Sequence, residues 1–205
     1  MVFTNRNYVL LFIHFQLVNT VAIYNGEMVN FTRNYPKYGL GELTIASMLN
    51  CVAGILGSLL LGRLIDARKC FKAATIALPA IITGTILLTW VLLKSDADTI
   101  LVLTLMSLAG APLSSVSVAS YQFVAEVTYP VNEVAGVGLM NTFNKLFTFG
   151  VVMLTSLIVE EELILWTCIA VLGLIPAILV KEDLRRLRLK DVQNSEYIEE
   201  STILK

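Results

Sequence analysis

This 205-residue chain predicts an all-α polytopic membrane protein, a bundle of six helices. Three observations predict it. Apolar stretches of about twenty residues fill most of the chain, the length needed to cross a hydrocarbon core roughly 30 Å thick. Hydrophobic residues make up 56 % and charged residues 15 % of the sequence, and the mean hydropathy is +0.74, far from a soluble domain's balance. The cations collect in alternate connectors and leave the others nearly bare.

The spans are predicted at Tyr8–Val29, Leu43–Ile65, Ala73–Leu93, Thr99–Phe123, Val134–Val159 and Leu163–Val180. Each must be helical, because a backbone facing lipid has no water to satisfy it. The first also reads as a signal peptide cut after Ala22, although an ordinary span fits its flanks better. The second carries small residues at i, i+4, Ala53 with Gly57 and Gly54 with Ser58. The fourth contains Ala109-Gly110-Ala111-Pro112, and Gly136 and Gly138 open the fifth. Small faces let helices approach where lipid supplies no hydrophobic drive, so bundle packing is their expected role. Pro112 and Pro176 predict kinks. Residues 1–180 thus form one transmembrane unit, and 181–205 a polar tail whose first turns suggest a surface helix.

With six spans both termini share a side. That side holds Arg6, then Arg63, Arg68, Lys69 and Lys72, then Lys181, Arg185, Arg186, Arg188 and Lys190; the other holds Arg33, Lys37 and Lys94. The bias predicts cytosolic termini. The sequon Asn30-Phe31-Thr32 and Glu160-Glu161-Glu162 then lie outside, and the plasma membrane is the default location. Cys51, Cys70 and Cys168 have no metal spacing and read as small core residues. His14 is the only histidine, and no catalytic motif or carboxylate pair appears, so neither an enzyme nor a cofactor is expected. The implied partners are the bilayer and a small-molecule solute, and nothing points to nucleic acid.

Polar residues within the spans carry the functional signal. Lys145 sits near the middle of the fifth span, where a cation costs ~2.5–3.5 kcal/mol on insertion scales. Asn141, Lys145 and Thr148 follow at i, i+4, i+7 on one face. His14 shares a face of the first span with Val18, Val21 and Asn25, with Tyr24 and Glu27 beyond; Tyr121 and Gln122 close the fourth span. A water-accessible path between helices is the expectation, with structural pairing of Lys145 to Glu27 or a carbonyl as the alternative.

Gly62, Asp66, Arg68, Lys69 and Lys72 resemble the cytosolic loop of major facilitator superfamily transporters, with Lys69 where a glycine usually follows the aspartate. The string Tyr121 to Pro130, followed by Glu133, Gly138, Leu139 and Asn141, resembles the loop between the tenth and eleventh helices of the feline leukemia virus subgroup C receptor-related transporters. Asn7 to Ile13 is similar to the start of that family's seventh helix, and the spacing of Asp66, Lys69, Phe71 and Lys72 to its loop between helices eight and nine. The resemblance covers most of residues 5–160. It implies the C-terminal half of a twelve-helix carrier that works by alternating access, with a second half-transporter, a copy or an N-terminal half, as partner. It implies haem or choline/ethanolamine-like cargo, with Lys145, Asn141, Tyr24, His14 and Gln122 as solute contacts, and gating by Gly62, Asp66, Lys69 and Lys72. Lys145 stands where that family has a neutral glutamine, which disfavours a quaternary ammonium and favours an anion such as a haem propionate. A degenerate half that scaffolds or regulates a full-length relative is the alternative.

Overall fold

A computed structural model describes residues 5–22, 37–95, 97–130, 133–155, 162–182 and 189. The helices are α1 (Arg6–Val21), α2 (Leu40–Arg68), α3 (Phe71–Lys94), α4 (Thr99–Leu108), α5 (Gly110–Thr128), α6 (Glu133–Thr155) and α7 (Glu162–Leu179). No strand occurs among the described residues. Four helical stretches are long and apolar enough to cross a bilayer: α2, α3, α4 with α5, and α6 from Val134; α7 is shorter. The chain is an all-α polytopic integral membrane protein. Tyr24, Glu27, the sequon, Glu160, Glu161 and the tail from 183 onward, except 189, lie outside the described residues.

The predicted span Thr99–Phe123 is a pair of helices that meet at Ala109. Pro112 has no N–H to return to the Leu108 carbonyl, so a regular ladder cannot run through this point. A neighbour satisfies part of the break: Asn50 of α2 donates its side-chain N–H to the Met106 carbonyl at 2.7 Å. Gly110 lies so close to the Asn50 carbonyl that a Cβ there would overlap it, and a Cβ on Gly57 would meet Ala111 Cα at 2.6 Å. The glycines of α2 and α5 are thus the contact itself, as the small-residue pattern implies. Pro176 does not end α7, which continues past it to Leu179, and Val180 N–H donates to its carbonyl at 3.1 Å.

Helix α5 is the centre of the bundle, packed against α2, α3, α1 and α6, while α7 closes the back against α1 and α3. Tyr8, Leu11, Phe15, Phe123, Met140 and Trp166 are fully buried in the core. Asn5 staples two ends together, because its carbonyl oxygen caps α1 at Asn7 N–H and its amide donates to the Val127 carbonyl of α5, each at 3.0 Å. Helices α2 and α6 are rims. Only 28 % and 22 % of their most apolar stretches are buried. The cysteines correct one expectation. Cys51 and Cys168 are exposed on outer helix surfaces and Cys70 is half-buried, so their apolar surroundings reflect lipid-depth surface and not core.

Lys69 ends α2 in the left-handed region, at φ 51° and ψ 32°, the only non-glycine residue with positive φ among the described residues. Glycine adopts that conformation without Cβ strain, whereas other residues pay roughly 1–2 kcal/mol. Lys69→Gly is expected to stabilise the chain by about 0.5–1 kcal/mol, the strain relieved less the added freedom of the unfolded glycine. Thermal unfolding in detergent micelles checks this, with Lys69→Val moving the midpoint down. An unchanged or lowered midpoint for the glycine variant contradicts it.

Candidate functional site

Polar side chains of three helices meet on the inner side of α6. Gln16, Asn19 and Thr20 recur at i, i+3, i+4 and so share one face of α1; Asn144 and Thr148 do the same on α6, and Ser117 and Tyr121 on α5. Asn19 is the junction. Its amide donates to Asn144 Oδ1 at 2.8 Å, and its own oxygen accepts from Ser117 Oγ. Asn144 Nδ2 is 3.3 Å from both the Gln16 carbonyl and Thr20 Oγ1, and Thr20 and Thr148 hydroxyls are 2.9 Å apart. Gln16 Nε2 donates to the Met140 carbonyl at 3.2 Å. Asn144, Thr20 and Thr148 are buried. These bonds attach a helix that has little other packing.

One step round α6 the polar face opens. Tyr121 OH donates to Asn141 Oδ1 at 2.7 Å, and Asn141 is half-buried. Lys145, one turn on, is exposed. It is the thirteenth of the 23 residues of α6, about 18 Å along the axis from Glu133 and hence near the middle of the span. Among the described residues no hydrogen bond or ion pair reaches its ammonium. Phe149, a further turn along, is also exposed.

The structure joins Asn141 to Tyr121, with Lys145 one turn along α6, but separates the other residues singled out by sequence. His14 is fully buried on the opposite side of α1, where Nδ1 lies 2.8 Å from the Gly173 carbonyl of α7. A carbonyl only accepts, so Nδ1 carries the proton, and Nε2 has no partner among the described residues. Gln122 lies one turn beyond Val118, which faces Gly62, so it belongs to the α2 side of α5; its Oε1 is buried without a partner among the described residues. Tyr24 is outside the described residues. Thr148, expected beside Lys145, faces α1 instead. In the loop, Gly62 is buried against Val118, Asp66 and Lys69 are exposed, and Lys72 is half-buried in the first turn of α3.

A groove of about 680 Å³ runs between α2 and α4. Its walls are mainly aliphatic, including Ile45, Leu49, Val52, Leu56, Ile100 and Leu103, with Lys37 and Glu42 among its lining. It suits an apolar occupant and offers little to select a polar solute at depth. Among the described residues no group of three histidine, cysteine or acidic side chains could hold a metal ion.

No family model matches the chain. It is 28 % identical over 200 residues, 93 % of its length, to an uncharacterised MFS-type transporter of Caenorhabditis elegans. It is also 28 % identical over 193 residues, 90 % of its length, to the choline/ethanolamine transporter FLVCR1 of Felis catus. The likeness is to MFS-type transporters. The chain spans about a third of the length of these relatives, 33 % and 34 %.

If the Asn19–Asn144 bond holds α6 in place, replacing both residues with leucine should show non-additivity. A double-mutant cycle of unfolding in micelles is expected to give a coupling of about 0.5–1.5 kcal/mol. Additive losses would mean that the Asn19–Asn144 bond does not hold α6.

Proposed function

We propose that this chain forms one wall of a facilitator-type carrier that moves a small organic solute across the membrane by alternating access. One observation carries the reading: a lysine at mid-span, on a helix face that the rest of the bundle leaves uncovered. Hydrocarbon does not repay the cost of such a cation, so that face is turned to water, solute or a second six-helix unit. Similarity to MFS-type transporters over nine-tenths of the chain supports the same conclusion, as does the pairing of parallel repeats around a midplane site in such carriers. The missing wall comes from a second half, either another copy or an N-terminal unit.

Lys145 and Asn141 contact the solute, with Tyr121 orienting the Asn141 amide. Gly62, Asp66, Lys69 and Lys72 act as the gating loop at the end of the bundle where α1 begins and α7 ends, the cytosolic side by the bias of the cations. Haem and choline- or ethanolamine-like solutes are the candidate cargo, the latter named for the feline relative. The alternative is a chain that scaffolds or regulates a full-length carrier.

The test is uptake and efflux of labelled choline, ethanolamine and haem by proteoliposomes holding the full chain. Where haem, an anion through its propionates, moves, Lys145→Leu is expected to reduce its transport roughly tenfold or more, about 1.4 kcal/mol of lost solute contact. Unchanged transport removes Lys145 from the solute path. A strict monomer in mild detergent that moves nothing supports the scaffold.

A further inference from the structure

From the hydrogen-bond roles around Lys145 we infer that the α6 site takes an amphipathic organic carboxylate in preference to an organic cation. The inference rests on the reading of this face as a solute wall and names the solute class. The donors decide it. Tyr121 spends its hydroxyl hydrogen on Asn141 Oδ1, and this turns the amide so that its carbonyl oxygen faces the tyrosine with one lone pair engaged. Asn141 Nδ2 has no partner among the described residues and is left as a donor. One turn on, the Lys145 ammonium adds three more donors and a full positive charge on the exposed side of the helix. The groups left uncommitted on α6 are thus chiefly N–H donors beside a cation, which match the paired oxygens of a carboxylate.

A cation meets the reverse. The oxygen atom of Tyr121 keeps lone pairs, yet a quaternary ammonium has no N–H to give them, and the lysine charge repels it. Ring faces hold such a cation where no like charge stands nearby; here Phe149 lies a single turn from Lys145 on the same face, so its ring shares the space around the ammonium. Phe149 instead supplies an apolar surface for the body of a solute whose carboxylate sits at Lys145. Gly138, a turn before Asn141 and exposed, would have nothing within 4 Å of a Cβ placed on it, so the face is open along that stretch. Length and apolar contact run along the helix, while charge selection is confined to one turn.

Three probes matched in their apolar part separate charge from greasiness: 4-phenylbutyrate, 4-phenylbutanol and 4-phenylbutyltrimethylammonium. Binding of each to the full chain in lipid nanodiscs is measured by calorimetry, with empty nanodiscs as the blank. The carboxylate is expected to bind about tenfold or more tighter than the cation, the size of one charge-assisted hydrogen bond. Lys145→Gln should erase that preference, Lys145→Arg should keep it, and Asn141→Leu should weaken the carboxylate more than the alcohol. Equal or tighter binding of the cation overturns the inference, as does a preference that survives Lys145→Gln or a failure of all three probes to bind. Carboxylate binding that depends on Lys145, in a chain that moves no solute in proteoliposomes, upholds the site and rejects the carrier reading alone.

Discussion

In hydrocarbon, a polar group must find its partner inside the protein, and most of what distinguishes this bundle follows from that constraint. Apolar side chains do not choose between lipid and one another, so they cannot by themselves dictate which helices meet. Amides and hydroxyls do choose. Asn5 ties α1 to α5, Asn50 takes up a carbonyl at the α4–α5 break, and Asn19 and Asn144 fasten α6 to α1. Close approach then becomes possible where glycine removes the Cβ, at Gly57 and Gly110.

Lys145 is a charged group at mid-span that the bundle leaves unresolved. Asn141, Asn144 and Thr148 on the same helix are each met by a neighbour, whereas the lysine ammonium stands on the uncovered flank. A helix that is buried by barely a fifth, yet attached by a row of hydrogen bonds, is held firmly on one side and open on the other. That arrangement suits a wall. It fixes the backbone of α6 against α1 and α5 while presenting Asn141, Lys145 and Phe149 to whatever lies opposite.

The architecture is legible in the sequence because span length and apolar content are strong signals. Those signals give the all-α membrane class directly. The break at Ala109 is half visible: Pro112 predicts a kink, but nothing in the sequence points to Asn50, the partner that makes it tolerable. The site is less legible, for a physical reason. Charge draws attention to Lys145 and its i±4 neighbours, yet a face defined from one helix does not say what stands across from it. Asn144 looks incidental beside Lys145 and is the buried anchor. His14 reads as a solute contact through the family resemblance, and in the structure its Nδ1 meets the Gly173 carbonyl of α7 across the back of α1. The usable signal for the missed residues is the repetition of amide and hydroxyl pairs at i, i+3 and i, i+4 in otherwise apolar helices: Gln16 with Asn19 and Thr20, Ser117 with Tyr121, and Asn144 with Thr148.

The central claim is that the position of Lys145 meets water at mid-membrane depth. In a chain whose three cysteines are replaced by serine, Lys145→Cys can be treated in native-like membranes with a charged, membrane-impermeant methanethiosulfonate from each side. Modification from at least one side is the expected result. A thiol that reacts only with a lipid-soluble maleimide, and never with the charged reagent, would contradict it.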